Sequence, residues 1–287
     1  MKVLKTSISA LLISSVLMSP AFANDSEGII ASQHSTVVGD LDESQKHEVE
    51  AIISSGMKEK WTDHQFNQAL SKYGMKKEPM IAPYKTNVGI ESLRGQVYMP
   101  APTTFTYDSG RKRVITGQMT WYSDSTGKPY WAYDKSIAGN MGGEDEIGLY
   151  LSNGAKDNIR VFDSSMKSED RCGSVYYHGG SPYTRHHESD TGVLHKAQDT
   201  VINRIGSGCG YTWNNVDYNF DTAWVYMYME KRNTTQKVDV DVRTQFAHTW
   251  STTVINSFSF GLDSFGFGYS NPSYGWDTVS VPYRLIW

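Results

Sequence analysis

The sequence predicts an all-β fold, an antiparallel two-sheet sandwich of jelly-roll or lectin-like type with a short N-terminal helical segment. Three observations carry that expectation. From Leu93 onward apolar and polar residues alternate with a period of two, as in Val238, Val240, Val242, Thr244 and Phe246 against Asp239, Asp241, Arg243 and Gln245. The strand-like runs are short and separated by turn residues, the pattern of sandwiches and barrels. The composition, with 18 Tyr, 8 Trp and 25 Gly, suits pleated surfaces rich in aromatic rings.

Residues 1–23 read as an export signal. Lys2 and Lys5 supply the positive start, Ile8 to Met18 the apolar stretch, and Ala21-Phe22-Ala23 the cleavage pattern. The stretch is too short to cross a bilayer as a helix. The mature chain is therefore expected to begin at Asn24 and to be secreted, with the periplasm or the cell surface as alternative destinations.

Residues 24–85 form the helical segment and linker. Leu41, Val49, Ile52 and Ile53 recur among charged residues between Asp40 and Ser54, and Thr62-Asp63-His64-Gln65 has the spacing of a capping box ahead of Phe66, Leu70 and Tyr73. Gly74 stands where a left-handed C-cap is expected. Such a segment docks on the main domain, is removed as a pro-segment, or serves as a spacer. Residues 86–287 form the sandwich domain. Its strand candidates are Gln96 to Met99, Arg113 to Tyr122, Tyr130 to Tyr133, Ile147 to Leu151, Asn158 to Phe162, Thr200 to Ile205, Thr222 to Lys231, the Val238 run and Thr278 to Ile286. Arg232 to Thr235 reads as a hairpin turn between the Thr222 and Val238 runs.

The formal charge of −4 becomes −6 once Lys2 and Lys5 leave with the signal. An acidic chain is a poor partner for nucleic acid, which needs a basic face to release counterions. Cys172 and Cys209 are the only cysteines, and export makes a mutual disulfide the expected state. Closing that loop stabilises by an amount on the order of 3 to 4 kcal/mol in the chain-entropy picture.

Between Thr249 and Trp276 the only formal charge is Asp263. Phe258 and Phe260, then Phe265 and Phe267, fall on one face of a hairpin whose other face is Ser and Gly. This alternation fits an aromatic face packed on the sandwich. It also fits a membrane-inserting hairpin over residues 254–270, although the arms fall short of the roughly 9 to 11 residues of a spanning strand.

Several groups of residues are candidates for chemistry. Trp121, Tyr122, Tyr130, Trp131 and Tyr133 flank one turn, beside the acidic loop Glu144-Asp145-Glu146, and such rings stack on sugars. Asp217, Asn219 and Asp221 offer hard oxygens at alternate positions, a calcium pattern without the EF-hand glycine or glutamate; no other cofactor is indicated. His178, His186, His187 and His195 lie near Glu188 and Asp190 without a zinc spacing. Asp239 and Asp241 share a strand face, whereas glycosidase carboxylates must flank a cleft. No nucleophile elbow, P-loop or dinucleotide fingerprint occurs, so catalysis is the less favoured reading.

Arg94-Gly95-Gln96-Val97-Tyr98-Met99, then Gly142 to Ser152, and the run Trp224 to Val242 resemble a group of small exported proteins of spore-forming bacilli. The resemblance spans about half the chain and implies a two-sheet, lectin-like sandwich with no established activity. This chain differs in its N-terminal helices, its cysteine pair and its Phe/Ser hairpin. The expectation from sequence is an exported, non-catalytic protein that binds a glycan or cell-surface component. A membrane-active protein is the second reading, and a polysaccharide-cleaving enzyme the third.

Overall fold

The structure, a computed structural model, describes residues 40–81, 96–152, 158–178, 185–189, 191–205, 209, 212–260 and 265–287. The chain divides into two compact units at Ser35 and Thr36, and every described residue belongs to the second. Strands are numbered in chain order. The first sheet contains β1 (Lys76–Lys77), β2 (Val97–Tyr98), β3 (Thr103–Tyr107), β4 (Lys112–Trp121), β6 (Ile159–Glu169), β7 (Val175–Tyr177) and β11 (Thr222–Lys231). Its order is β1-β3-β4-β11-β6-β7, with β2 also on β4. The second contains β5 (Gly139–Leu151), β8 (Arg185–Ser189), β9 (Gly192–Asn203), β10 (Val216–Tyr218), β12 (Asp239–Thr249), β15 (Gly275–Val279) and β16 (Tyr283–Ile286). Its order is β10-β9-β5-β12-β15, with β8 on β9 and β16 on β12. All pairings are antiparallel, so the molecule is the all-β sandwich expected from the alternation.

Alternation decides what each sheet buries. Inward residues Ile115, Met119, Val225 and Met227 of the first sheet meet Ile147, Leu149, Val242 and Phe246 of the second in one core. The sheets approach closely at Gly117, where an added Cβ would lie 2.2 Å from Thr244 Oγ1. A side chain there would push β4 away from β12.

The outer face of the first sheet is apolar as well, and helices cover it. α1 (Glu43–Lys58) and α2 (Asp63–Ala69) each start with a capping box, at Asp42 and Thr62. Gly74 adopts φ 62°, the left-handed cap anticipated at that position. Val49, Ile53, Phe66 and Leu70 pack on Phe105, Val114, Trp224, Tyr226 and Tyr228 of the sheet. The helical segment is thus docked, and the architecture has three layers, helix on sheet on sheet.

On the opposite side, β13 (Ile255–Phe260) and β14 (Phe265–Tyr269) pair with each other, Phe258 opposite Phe267. Phe258 and Phe267 pack on Tyr150 and Leu194 of the second sheet. The side chains of Phe260 and Phe265 lie outside the described residues.

Three local expectations are corrected. β11 and β12 belong to different sheets, so Arg232 to Thr235 is a crossover between layers and not a hairpin turn. Tyr130 to Tyr133 is helical, not extended: α3 (Trp131–Asp134) follows Pro129, whose carbonyl accepts from Ala132 N at 3.0 Å. The C-terminal strand breaks into β15 and β16 around Pro282, which has no N–H to donate to β12. Cys172 and Cys209 form the expected disulfide, 37 residues apart with Cα atoms separated by 5.7 Å.

Candidate functional site

A cleft of about 890 Å³ opens between the helices and the outer face of the first sheet. Its floor is built by strand periodicity: even-numbered residues of β4 and β11 point outward, which brings Gln118 opposite Trp224 and Thr120 opposite Thr222. Gln118 Nε2 donates to Thr120 Oγ1 at 3.0 Å, and the Thr120 and Thr222 hydroxyls are 3.2 Å apart. Trp224 is buried, and its indole N–H has no hydrogen-bond acceptor among the described residues.

The helical wall depends on a glycine. A Cβ on Gly56 would fall 2.4 Å from the Phe66 ring and 2.7 Å from the Trp61 ring, so only glycine lets both rings close on α1. Trp61 N donates to Gly56 O at 2.8 Å, and the Trp61 and Phe66 rings meet edge-on with centroids 5.7 Å apart. Across the cleft stands Tyr98, largely exposed and in contact with Tyr122 at 6.1 Å between centroids. Tyr98 also borders a second, more apolar groove of about 660 Å³ that includes Met80, Met99, Val281 and Tyr283.

The end wall is the tight turn Asp170 to Gly173. The Cys172–Cys209 disulfide tethers it, and Asp217 accepts from the backbone N–H of Arg171 and Cys172 at 3.2 and 3.0 Å. Asp170 in turn accepts from Arg204 and from the Tyr176 hydroxyl. Lys58 of α1 pairs with Glu169 of β6 across the cleft edge. Both signs of charge line the cleft, with Lys60 and Arg171 among its cations and Glu169 and Asp221 among its acids. Burial pushes the Asp221 carboxyl up to about 7, opposed chiefly by the hydrogen bond from Trp131.

Only part of the aromatic group picked from sequence is available to a ligand. Trp121 points inward on β4 and packs against Tyr218, Phe246, His248 and Trp276. Trp131 is 0 % exposed, its Nε1 donating to Asp221 Oδ1 at 3.0 Å. Both are core rings: strand alternation turns Trp121 inward on β4, and the turn of α3 buries Trp131 while exposing Tyr133. Tyr130 is half-buried, whereas Tyr122 and Tyr133 are exposed. Glu144 pairs with Lys196 at 2.7 Å on the second sheet, away from the cleft, and Asp145 is wholly buried.

The calcium pattern does not converge. Asp217 caps the Arg171 turn, Asn219 Oδ1 accepts from Thr200 N at 2.6 Å, and Asp221 accepts from Trp131. Each oxygen serves a different protein donor, as turn-forming Asx residues do. His178 bonds Ser168 and is held down to about 4 by burial, and His195 bonds Ser164 inside the sandwich. The side chains of His186, His187, Glu188 and Asp190 lie outside the described residues.

Trp61, Tyr98, Gln118, Thr222 and Trp224 were not singled out from sequence. The available signals were Gly56, eleven positions after a capping-box glutamine, and the outward register shared by β4 and β11. Neither reveals which strands are neighbours.

No protein-family model matches this chain, and no curated protein matches it. Among solved structures, the one titled "AvmM Catalyzes Macrocyclization in Alchivemycin A Biosynthesis" aligns over 73% of this chain and 95% of its own, at 10% identity and a TM-score of 0.25. A likeness that low carries no argument about fold or function.

Proposed function

We propose that this chain is an exported, non-catalytic binding protein that holds a glycan of the cell envelope or extracellular surroundings in the helix–sheet cleft. One observation carries the reading: Trp61 and Tyr98 flank a floor of Gln118, Thr120, Thr222 and Trp224. Sugar rings offer apolar faces to aromatic walls and hydroxyls to amide and hydroxyl partners. Export rests on residues 1–23 and fits the Cys172–Cys209 disulfide.

The test is retention of the mature protein on cell-wall and polysaccharide columns, together with a glycan array. Trp61→Ala and Tyr98→Ala are expected to abolish retention while leaving the circular dichroism spectrum intact. Unchanged retention in both variants refutes the cleft as the site.

The membrane reading is favoured by a separate observation. Among the described residues β13 and β14 form a two-stranded sheet of their own, resting on Tyr150 and Leu194 through Phe258 and Phe267. A liposome-leakage assay separates the two readings. Dye release that disappears on Phe260→Asp supports the membrane reading, and no release supports the binding one.

A further inference from the structure

The inward rows of the second sheet change character at one level of the sandwich. On β5 the apolar Ile147 gives way to Asp145, on β9 Ala197 gives way to Asp199, and on β12 Phe246 gives way to His248. These strands are neighbours in the order β9-β5-β12, so the three side chains meet. Tyr218, from the adjoining β10, reaches the same point, and all four residues are 0 % exposed.

The donor atoms form a compact set. His248 Nδ1 lies 2.7 Å from Asp145 Oδ2 and 3.8 Å from Asp199 Oδ2. The Tyr218 oxygen lies 2.7 Å from Asp199 Oδ2 and 3.4 Å from Asp145 Oδ2. A tetrahedral site with zinc bonds near 2.1 Å has edges of about 3.4 Å, and these separations fall on both sides of that value.

A second observation concerns the far side of the ring. His248 Nε2 is buried without a hydrogen-bond partner and sits 3.6 Å from Asp134 Oδ2 of α3. Metal-bound imidazoles turn their remaining N–H toward a carboxylate in this way. Charge points in the same direction. Asp145 and Asp199 share a single imidazole in a buried setting enclosed by Trp121, Trp250 and Trp276, so two carboxyl groups face one nitrogen base, while Asp134 on its far side is exposed. An uncompensated charge in so dry a place is costly.

We propose that Asp145, Asp199, His248 and Tyr218 form a closed structural site for a divalent transition-metal cation, with zinc the best match to the mixed nitrogen and oxygen donors. Binding displaces two protons to solvent, the one on His248 Nδ1 and the Tyr218 hydroxyl proton now donated to Asp199, and leaves the ring N–H on Nε2, facing Asp134. The ion ties three strands of the second sheet to β10 and, through Asp134, to α3. The site is independent of the cleft.

The test is metal analysis of the mature protein refolded with Zn2+ and dialysed, beside a sample refolded with Co2+. The expected result is one zinc per chain, a tetrahedral Co2+ spectrum in the visible range, and quenching of tryptophan fluorescence by Co2+ through the surrounding indoles. Asp199→Asn is expected to lose the ion, while Glu144→Gln, on the opposite strand face, keeps it. Should Asp199→Asn fail to fold, the wild-type Co2+ spectrum decides. Wild-type protein that retains neither ion, or Asp199→Asn that folds and binds as tightly as wild type, overturns the proposal.

Discussion

The two outer faces of the sandwich are covered in different ways. Over the first sheet, α1 and α2 bury a continuous apolar cluster and add a polar lock at its centre. Glu50 accepts from the Tyr228 hydroxyl at 2.8 Å and from Ser165, its carbonyl accepts from the Tyr226 hydroxyl at 3.0 Å, and Lys167 donates to Ser54. Over the second sheet, the β13–β14 hairpin rests on Tyr150 and Leu194 through two half-buried phenylalanines. The contrast shows that a cover can be part of the fold or merely lie on it. Local stability follows buried apolar contact, so the helical cover shares the global stability while the hairpin opens more readily.

This contrast can be broken by substitution. Ile53→Ala in the helical cover is expected to cost about 2–5 kcal/mol, as for other large-to-small core changes, read by urea denaturation. A loss of a few tenths would mean that the helices do not share the core.

The polar lock is sharpened by pH. Burial pushes the Glu50 carboxyl up, and it lowers Lys167 from 10.5 to about 8. A raised carboxyl stabilises the fold when protonated, and that contribution is lost as pH rises through its folded value. For Lys167 the cost of burying the charge is fully present below pH 8 and is relieved as pH climbs toward 10.5, by about 3 kcal/mol. Thermal stability measured across that range is expected to rise more steeply in wild type than in Lys167→Met. Parallel profiles would contradict the buried charge.

Gly56→Val is expected to cost roughly 1–3 kcal/mol by overpacking against Phe66 and Trp61, and to weaken ligand retention because Trp61 moves. Retention without loss would detach the wall geometry from binding. The smallest effect is reserved for the hairpin, where Phe258→Ala is expected to cost about 1 kcal/mol for a half-buried ring. Amides of β13 and β14 should also exchange hydrogen before those of α1. The reverse order would make the hairpin the firmer cover.

Much of this fold is legible in the sequence because each strand reports its own alternation. Val238 to Phe246, the capping box at Thr62 and the lone cysteine pair each carry a local rule that the structure follows. What the sequence does not report is which strands become neighbours. The Thr222 and Val238 runs look like one hairpin yet enter different sheets, and Trp121 and Trp131 look like surface rings yet face the core. The cleft combines residues of α1, β2, β4 and β11, and the His248 cluster combines β5, β9, β10 and β12. Neither leaves a spacing to find, because long-range pairing assembles both.

The proposed ligand cleft lies on the outer face of the first sheet. It is tested most directly by the indole N–H resonances of the tryptophans in a 15N-labelled sample titrated with cell-wall glycan fragments. Trp61 and Trp224 are expected to shift with saturation while Trp121 and Trp131 stay in place. Shifts confined to the core indoles, or none at all with a glycan that the protein retains on a column, would contradict it.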